Sequence, residues 1–521
     1  MDVLVVDLTH GGVIIAVELS KLEYFNNVYA YDLYGTLKNE DKKKLLGHNI
    51  IIIKDIYELN DHSEAIENHD KDRANVRENE YINKNELLIS CPIHSPLTTD
   101  EIREKINQPN GLNLTHHETV KLLLKQWKNK ISEEKIAVIE VTGVKGKTTT
   151  VSLLKSILKN HNPLSLTSLG ATLTLNNETI TLKKNISITP ANILETIKLA
   201  DKINNDETNY SKCSIESPIR KDKLNSKNHD YRIAIFESSL GTSGVGDVGV
   251  LTNIVENYEI AKNTSNAKIA KEQVFNNEYV VIDYYTLTKF YPEKIKRSKM
   301  NSFTLNDYDL CDENVQPNLI ANKINYNLKN SEIEIKYENI KTIYGNELNG
   351  ELNIQTFALG EHHVLNILCA VTTALTLKID LESIKEGLMN YKPVEGRSSI
   401  QLKDNVKIIE EINPGLNVKS IEKSIDSVKD LNNYSVILGG KYGVTCEEID
   451  EISLSKLLDD LLNKYDLDLT LVDELGENIS SKMENKTNFF EDYLEAQEIA
   501  IKKGKNILFI YRSNYSQINK R

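Results

Sequence analysis

The chain has 521 residues, 40% of them hydrophobic and 27% charged, with a formal net charge of −13 at pH 7. That length exceeds one hydrophobic core, so roughly two to four domains are expected. The acidic balance, with no basic stripe interleaved with aromatics, argues against nucleic acid as a partner. No apolar run reaches membrane-spanning length, and the opening MDVLVVDLTHGG has neither a basic n-region nor a small-residue cleavage site. Five cysteines, unevenly spread and without a C-x-x-C pair, fit a cytoplasmic protein in a reducing compartment better than a disulfide framework. An anionic substrate must then be held by local basic groups rather than by the overall field.

In chain order, residues 2–7 (DVLVVD) read as a buried parallel strand. Thr9-His10-Gly11-Gly12 then opens a helical run, VIIAVELSKL. NVYAYDLYG, IIIIKDI and ELLISCPI read as further strands. This is a Rossmann-like βαβ beginning without G-x-G-x-x-G, so an NAD site is not expected. Cys91-Pro-Ile-His94 has a metal-like spacing but no second pair, which favours a buried structural cysteine. Thr115 is a candidate N-cap for the helix THHETVKLLLKQW. Its adjacent His116 and His117 point about 100° apart, so a shared metal is disfavoured. The stretch 128–135, KNKISEEK, reads as a polar linker.

Residues 136–150, IAVIEVTGVKGKTTT, organise the rest. An apolar strand runs into Gly143-Val144-Lys145-Gly146-Lys147-Thr148, and a helical pattern follows from Val151. Strand, glycine turn and helix N-terminus bring backbone N–H groups and the positive helix end to one point, an anion site. Lys147 adds a point charge for β- and γ-phosphates, and Thr148 offers a hydroxyl to Mg²⁺. The loop is shorter than G-x-x-x-x-G-K-[ST], but its surroundings agree with a phosphate loop, and nucleotide binding is the expectation.

Further on, SITPANIL reads as a strand end, a turn proline and a new helix, and residues 202–230 as a polar surface insertion. YRIAIFESSLGTSG delivers Glu237 to a strand C-terminus, where ligand chemistry gathers in open α/β sheets. A carboxylate beside a phosphate loop is placed to hold Mg²⁺. VGVLTNI is another strand, and AKIAKEQVF is a helix carrying Lys271. Residues 296–355 read as a peripheral β excursion. The buried-looking helix ALGEHHVLNILCAVTTAL clusters Gly360, His362, His363 and Asn366 at its start, where helix N-termini meet ligands. After KPVEGR, strands and helices alternate again, the pattern of a parallel α/β domain.

These motifs together resemble the Mur ligase superfamily, three-domain ATP-dependent ligases. TGVKGKTTT, FESS, LTNI, the lysine of AKEQVF, LGEHHVLN, EGR and the Asn-Pro of EINPG follow that family's order over roughly residues 136–440. The resemblance implies an α/β fold of three domains. A Rossmann-like substrate-binding domain would span 1–130, a central phosphate-loop domain with a mostly parallel sheet 131–397, and a Rossmann-like C-terminal domain 398–521. It also implies that Gly143, Val144, Lys145, Gly146, Lys147, Thr148 and Thr149 bind ATP and that Thr148 and Glu237 hold Mg²⁺. His363 or Asn366 would lie near adenine and Arg397 would contact nucleotide at a hinge. Lys271 matches a lysine that several members carry in carbamylated form, and with Lys147 and Glu237 it completes the implied catalytic set.

Two departures count against amino-acid addition: Asn257-Tyr258 stands where those ligases place Asp-His, and Glu410-Glu411-Ile412 replaces an Asp-Tyr-Ala-His element. With VDLTHGG, CPIHSPL, LTHHETV and LGGKYGVTCEEID they resemble instead one archaeal branch, the coenzyme F(430) synthetases of methanogens. That implies ATP-dependent closure of a carbocyclic ring on a nickel tetrapyrrole. A ring carbon would capture an acyl phosphate, with Glu410, Glu411 or His10 as the base by position. His10, His94, His116 and His117 are the candidate contacts to substrate carboxylates. The alternative is a Mur-type amino-acid ligase of pseudomurein peptide or polyglutamate synthesis.

Overall fold

The computed structural model describes residues 1–59, 87–184, 186–205, 231–260, 265–305, 315–358, 360–394, 397–413, 416–426, 428–429, 433–443, 449–513 and 518. Two compact units emerge, one of residues 1–325, 332–355 and 361–390, the other of residues 326–331, 356–360 and 391–521.

The first unit contains two large sheets, besides a two-stranded antiparallel pair, Glu259–Ile260 with Ser265–Asn266. The N-terminal one has five strands, in spatial order Ile51–Ile53, Val28–Tyr31, Asp2–Val6, Leu87–Cys91 and Asn113–Thr115. Every pairing is parallel. Val3 to Val6 are all 0% exposed, so both faces of the first strand are covered, as its unbroken apolar run requires. The helix Val13–Leu19 packs on one face. Helix His116–Leu123 starts with a capping box: Thr115 Oγ1 accepts from Glu118 N at 3.1 Å, and Glu118 Oε2 accepts from Thr115 N at 2.8 Å.

Residues 128–135 are not the polar linker that their composition suggests. A helix runs from Lys125 to Glu133, because Ile131 is fully buried, Lys128 pairs with Asp247 at 2.6 Å, and the Trp127 indole donates to the Tyr231 hydroxyl at 3.2 Å.

The central sheet has eleven strands, in order 347–358, 327–341, 319–325, 300–305, 279–283, 248–251, 137–142, 233–237, 163–167, 170–175 and 178–184. From 319–325 to 163–167 all pairings are parallel, and the hairpins 163–175 and 170–184 are antiparallel. Strand Met300–Leu305 corrects the expectation of a peripheral excursion over 296–355. All six residues are buried, and Asn301 tolerates this by bonding the Lys341 backbone and the Thr376 hydroxyl at 2.8–2.9 Å. Helix Pro190–Asn205 begins at the proline and extends into the expected insertion, whose remainder, 206–230, lies outside the described residues. Helix Glu361–Thr376 is buried along most of its length.

The second unit is built on six strands, in order 397–403, 406–412, 506–512, 434–440, 468–472 and 488–490. The first pair is antiparallel and the rest are parallel, with helices Val418–Asp426, Glu451–Lys464, Asp473–Ser480 and Tyr493–Lys502 between strands. No described helix is long and apolar enough to cross a membrane.

Candidate active site

The loop after strand Ala137–Thr142 has its two glycines where no other residue fits. Gly143 (φ 148°) and Gly146 (φ 80°) lie in the left-handed half of the map. A Cβ on Gly143 would sit 2.0 Å from Thr252 Oγ1, and one on Gly146 2.0 Å from Asn366 Oδ1. Neighbouring strand ends tie the loop down. Val144 N donates to Asn253 O and Lys145 N to Asn253 Oδ1, both at 3.0 Å, while Thr252 Oγ1 donates to Lys145 O at 2.5 Å. Helix Lys147–Ile157 starts immediately after Gly146, with no side chain capping it. Its first N–H groups therefore point into the loop, ready for an anion. Lys147 lies along its own loop, Nζ donating to Gly143 O at 3.0 Å. Thr149 sits in the first turn, half-buried.

Glu237 ends the strand next to that loop, and its side chain is almost wholly buried. Thr148 Oγ1 donates to its carboxylate at 2.9 and 3.0 Å to the two oxygens, and Ser168 N donates to Oε2 at 3.2 Å. Ser168 Oγ lies 3.1 Å from Thr148 Oγ1. Three hard oxygen donors thus meet beside the loop, the ligand chemistry that Mg²⁺ prefers. Lys271 is fully buried and its ammonium donates to Ser239 O, two residues beyond Glu237. Asn366 packs on Gly146, whereas His363 is buried and pushed well below the ordinary imidazole pKa, by burial first and then by His362.

The second glycine turn, Gly241 to Gly246, is already occupied by the protein itself. Glu140, wholly buried, accepts from Ser243 N (2.8 Å), Ser243 Oγ (2.6 Å), Gly244 N (2.9 Å), Gly246 N (3.0 Å) and Asn277 Nδ2 (2.8 Å). This nest holds a carboxylate where the neighbouring loop offers itself to phosphate.

In the N-terminal sheet, His10 and His94 come together on Asp7. His10 Nδ1 lies 2.7 Å and His94 Nε2 3.3 Å from Asp7 Oδ2. Burial works to raise the Asp7 pKa, but the hydrogen bonds to His10 and His94, the His10 charge and the Thr9 N–H outweigh it and hold the carboxyl well below its usual range. The hydrogen bond with Asp7 raises His10 in turn, against the opposing effect of burial. His116 and His117 are buried behind this group, pushed down to about 4 and about 3, in each case mainly by desolvation. They are neutral near pH 7 and offer hydrogen bonds, not charge. For His117 the neighbouring His116 adds to the downward push. Cys91 is buried, its thiol pushed up to about 11 by desolvation.

Glu410 and Glu411 belong to the second unit, where Glu410 accepts from Ser399 Oγ at 3.1 Å and Gln401 Nε2 at 3.0 Å. The side chain of Arg397 lies outside the described residues.

Comparison with known proteins fits this geometry. The family described as coenzyme F430 synthetase CfbE, C-terminal domain, matches residues 400–514. A coenzyme F(430) synthetase of Methanocaldococcus jannaschii is 25% identical over 91% of both chains. One of Methanosarcina acetivorans is 27% identical over 87% of this chain and 86% of that one. Among solved structures, MurF from Acinetobacter baumannii shares the fold at 16% identity and a TM-score of 0.52, over 83% of this chain and 89% of that one. These relatives and the shared fold support an ATP-dependent ligase of the Mur ligase type. Around the loop and at the N-terminal strand end, Asp7, Ser168 and Glu140 are residues that the sequence did not single out, whereas Thr252 and Asn253 were visible in the LTNI motif. Of the three, Asp7 left a trace, as the acidic end of an otherwise apolar strand.

Proposed function

We propose that the ligase activates a propionate carboxylate of a nickel seco-tetrapyrrole as an acyl phosphate and closes the carbocyclic ring that gives coenzyme F(430). The observation that carries this reading is the similarity to two coenzyme F(430) synthetases across about nine-tenths of the chain in the better-covered case. The carboxylate oxygen attacks the γ-phosphorus of ATP and ADP leaves. A ring carbon that has lost a proton then attacks the acyl carbon; the C–C bond forms, the C–O bond to phosphate breaks, and inorganic phosphate departs.

The chain's own groups would divide the work as follows. Gly143 to Thr149 cradle the phosphates with backbone N–H groups, and Lys147 neutralises charge at the γ-phosphate. The oxygens gathered at Thr148 and Glu237 fit Mg²⁺, which when bound offsets charge on the β- and γ-phosphates. Lys271, carbamylated, would add a second carboxylate there. By the family resemblance His363 or Asn366 would lie near adenine, and Arg397 would contact nucleotide at a hinge. His10, His94, His116 and His117 would contact the macrocycle's carboxylates, and His10, Glu410 or Glu411 would take the carbon-bound proton.

Phosphate release from ATP tests this, with the nickel seco-acid and panels of amino acids supplied in turn. Stimulation by the tetrapyrrole, with a matching change in its visible spectrum, supports ring closure. Stimulation by amino acids alone moves the ligase to peptide or polyglutamate synthesis. Asn257-Tyr258 in place of an Asp-His pair speaks against that outcome.

A further inference from the structure

Strand Asp2–Val6 is the point at which the N-terminal sheet reverses its order. The chain first builds outward to Val28–Tyr31 and Ile51–Ile53 on one side, then returns to add Leu87–Cys91 and Asn113–Thr115 on the other. Open α/β sheets hold ligands in the crevice at the carboxyl ends of such strands. Asp7 stands at that place with φ 67° and ψ 97°, a left-handed backbone that is strained for a non-glycine residue. The backbone around it has no slack. A Cβ on Gly12 would meet Asp7 O at 2.2 Å, and Gly11 (φ 100°) is pressed against Ala191 and Thr189.

What the strained residue presents is a carboxylate with 0% side-chain exposure, one oxygen of which receives two imidazoles. Oδ1 accepts from Thr9 N at 2.9 Å. Oδ2 lies 2.7 Å from His10 Nδ1 and 3.3 Å from His94 Nε2, and the two rings meet edge-on with centroids 4.5 Å apart. One donor atom from each residue lies within 4.8 Å of the others; no other group of three His, Cys, Asp or Glu does so among the described residues. Bonds of about 2.0–2.2 Å to one ion place neighbouring ligand atoms roughly 3–3.5 Å apart. The His10 Nδ1 and His94 Nε2 distances to Asp7 Oδ2, 2.7 and 3.3 Å, lie close to that spacing.

We propose that Asp7, His10 and His94 form a binding site for a divalent first-row transition ion of the zinc, cobalt or nickel class. Two imidazoles and one carboxylate suit these ions, whereas Mg²⁺ and Ca²⁺ prefer all-oxygen sets. The ion would take the place between Asp7 Oδ2 and the ring nitrogens His10 Nδ1 and His94 Nε2. Three protein ligands leave a further position open, and His10, 41% exposed, keeps the group within reach of solvent. This site is separate from the Mg²⁺-ATP site at Thr148 and Glu237, and it does not depend on the identity of the tetrapyrrole.

The test uses the full, untagged chain, stripped with a chelator and returned to buffer with excess Mg²⁺ so that the nucleotide site is filled. Co²⁺ is titrated while its visible d–d absorption is followed, Zn²⁺ is used to compete, and retained metal is counted by elemental analysis after gel filtration. The expected result is one transition ion per chain, bound roughly 100-fold more weakly in Asp7→Asn and His94→Ala. Asparagine is chosen because it tolerates positive φ. Should either variant misfold by circular dichroism, His10→Ala decides, because His10 is partly exposed and its loss leaves the core intact. No retained transition ion, or retention unchanged in His10→Ala, overturns the proposal.

Discussion

Two crevices at strand ends lie in the first compact unit, and they recognise ligands by opposite means. The one on the central sheet is made mainly of backbone. Gly143 and Gly146 let the chain fold back on itself, and an uncapped helix end supplies N–H groups. The one on the N-terminal sheet is made of side chains, Asp7, His10 and His94, on a backbone equally strained but with φ 67° at an aspartate. The first shape suits a phosphate, whose oxygens are satisfied by any array of N–H donors. The second discriminates by ligand softness and protonation, which backbone groups cannot do. A ligase that closes the proposed ring would have to hold both ATP and a chemically unusual acid, and would have reason to build both.

The largest effect that separates the two comes from the central crevice. Lys147→Ala and Glu237→Gln should each lower substrate-stimulated phosphate release about 10²–10³-fold. Substrate binding, followed by the spectrum of the tetrapyrrole, should persist; its loss in both variants would merge the two crevices into one functional site. Next is Glu140→Gln, which faces an amide NH₂ towards donors already aimed at a carboxylate. Breaking a buried charged network of this kind costs about 3–5 kcal/mol, read as a lowered urea midpoint. An unchanged midpoint would mean that the Gly241–Gly246 turn holds itself. Gly146→Ala comes third: the left-handed backbone and the contact with Asn366 Oδ1 should raise the Kd for nucleotide roughly 10–100-fold. Asn366→Ala in the same chain should recover part of that loss, and no recovery would assign it to φ alone.

The two crevices also differ in how far the sequence disclosed them. A backbone site needs contiguous residues, so strand, glycines, Lys147 and Thr148 stood in one readable run. Glu237 could be added because a strand announces its own end. A side-chain site assembled from strand ends is scattered: His10 and His94 were visible as residue types, but Asp7, which joins them, looked like the polar end of DVLVVD. Glu140 was hidden for the same reason, since all of its partners lie beyond residue 240. Elsewhere, composition misled where tertiary contacts decided. KNKISEEK is too polar to look helical, yet Ile131 and the Lys128–Asp247 pair anchor it. MNSFTL looked peripheral until Asn301 found backbone partners.

A smaller effect, on stability rather than turnover, sharpens the contrast further, because the N-terminal crevice carries two histidines held neutral by burial and the central one carries one, His363. His116 and His117 are held neutral, with folded pKa values of about 4 and about 3 against an ordinary 6.5. Below pH 6.5 the unfolded chain takes up protons that the folded chain refuses, so stability is complete above that pH and falls as pH drops towards 4. The slope is about 1.4 kcal/mol per pH unit for each histidine. His10 has the opposite sign: Asp7 raises its pKa, so its contribution is full below pH 6.5 and is lost as pH rises through the folded value. Its side chain is 41% exposed, so this opposing contribution is the smaller. Both ring nitrogens of His117 are buried without a hydrogen-bond partner, so His117→Leu removes the titrating group and leaves no polar partner stranded. Urea midpoints at pH 6.5 and 5.5 should therefore diverge less in that variant than in the natural chain. Parallel shifts in the two proteins would mean that His117 already carries its proton when folded, and the two crevices would then not differ in this way.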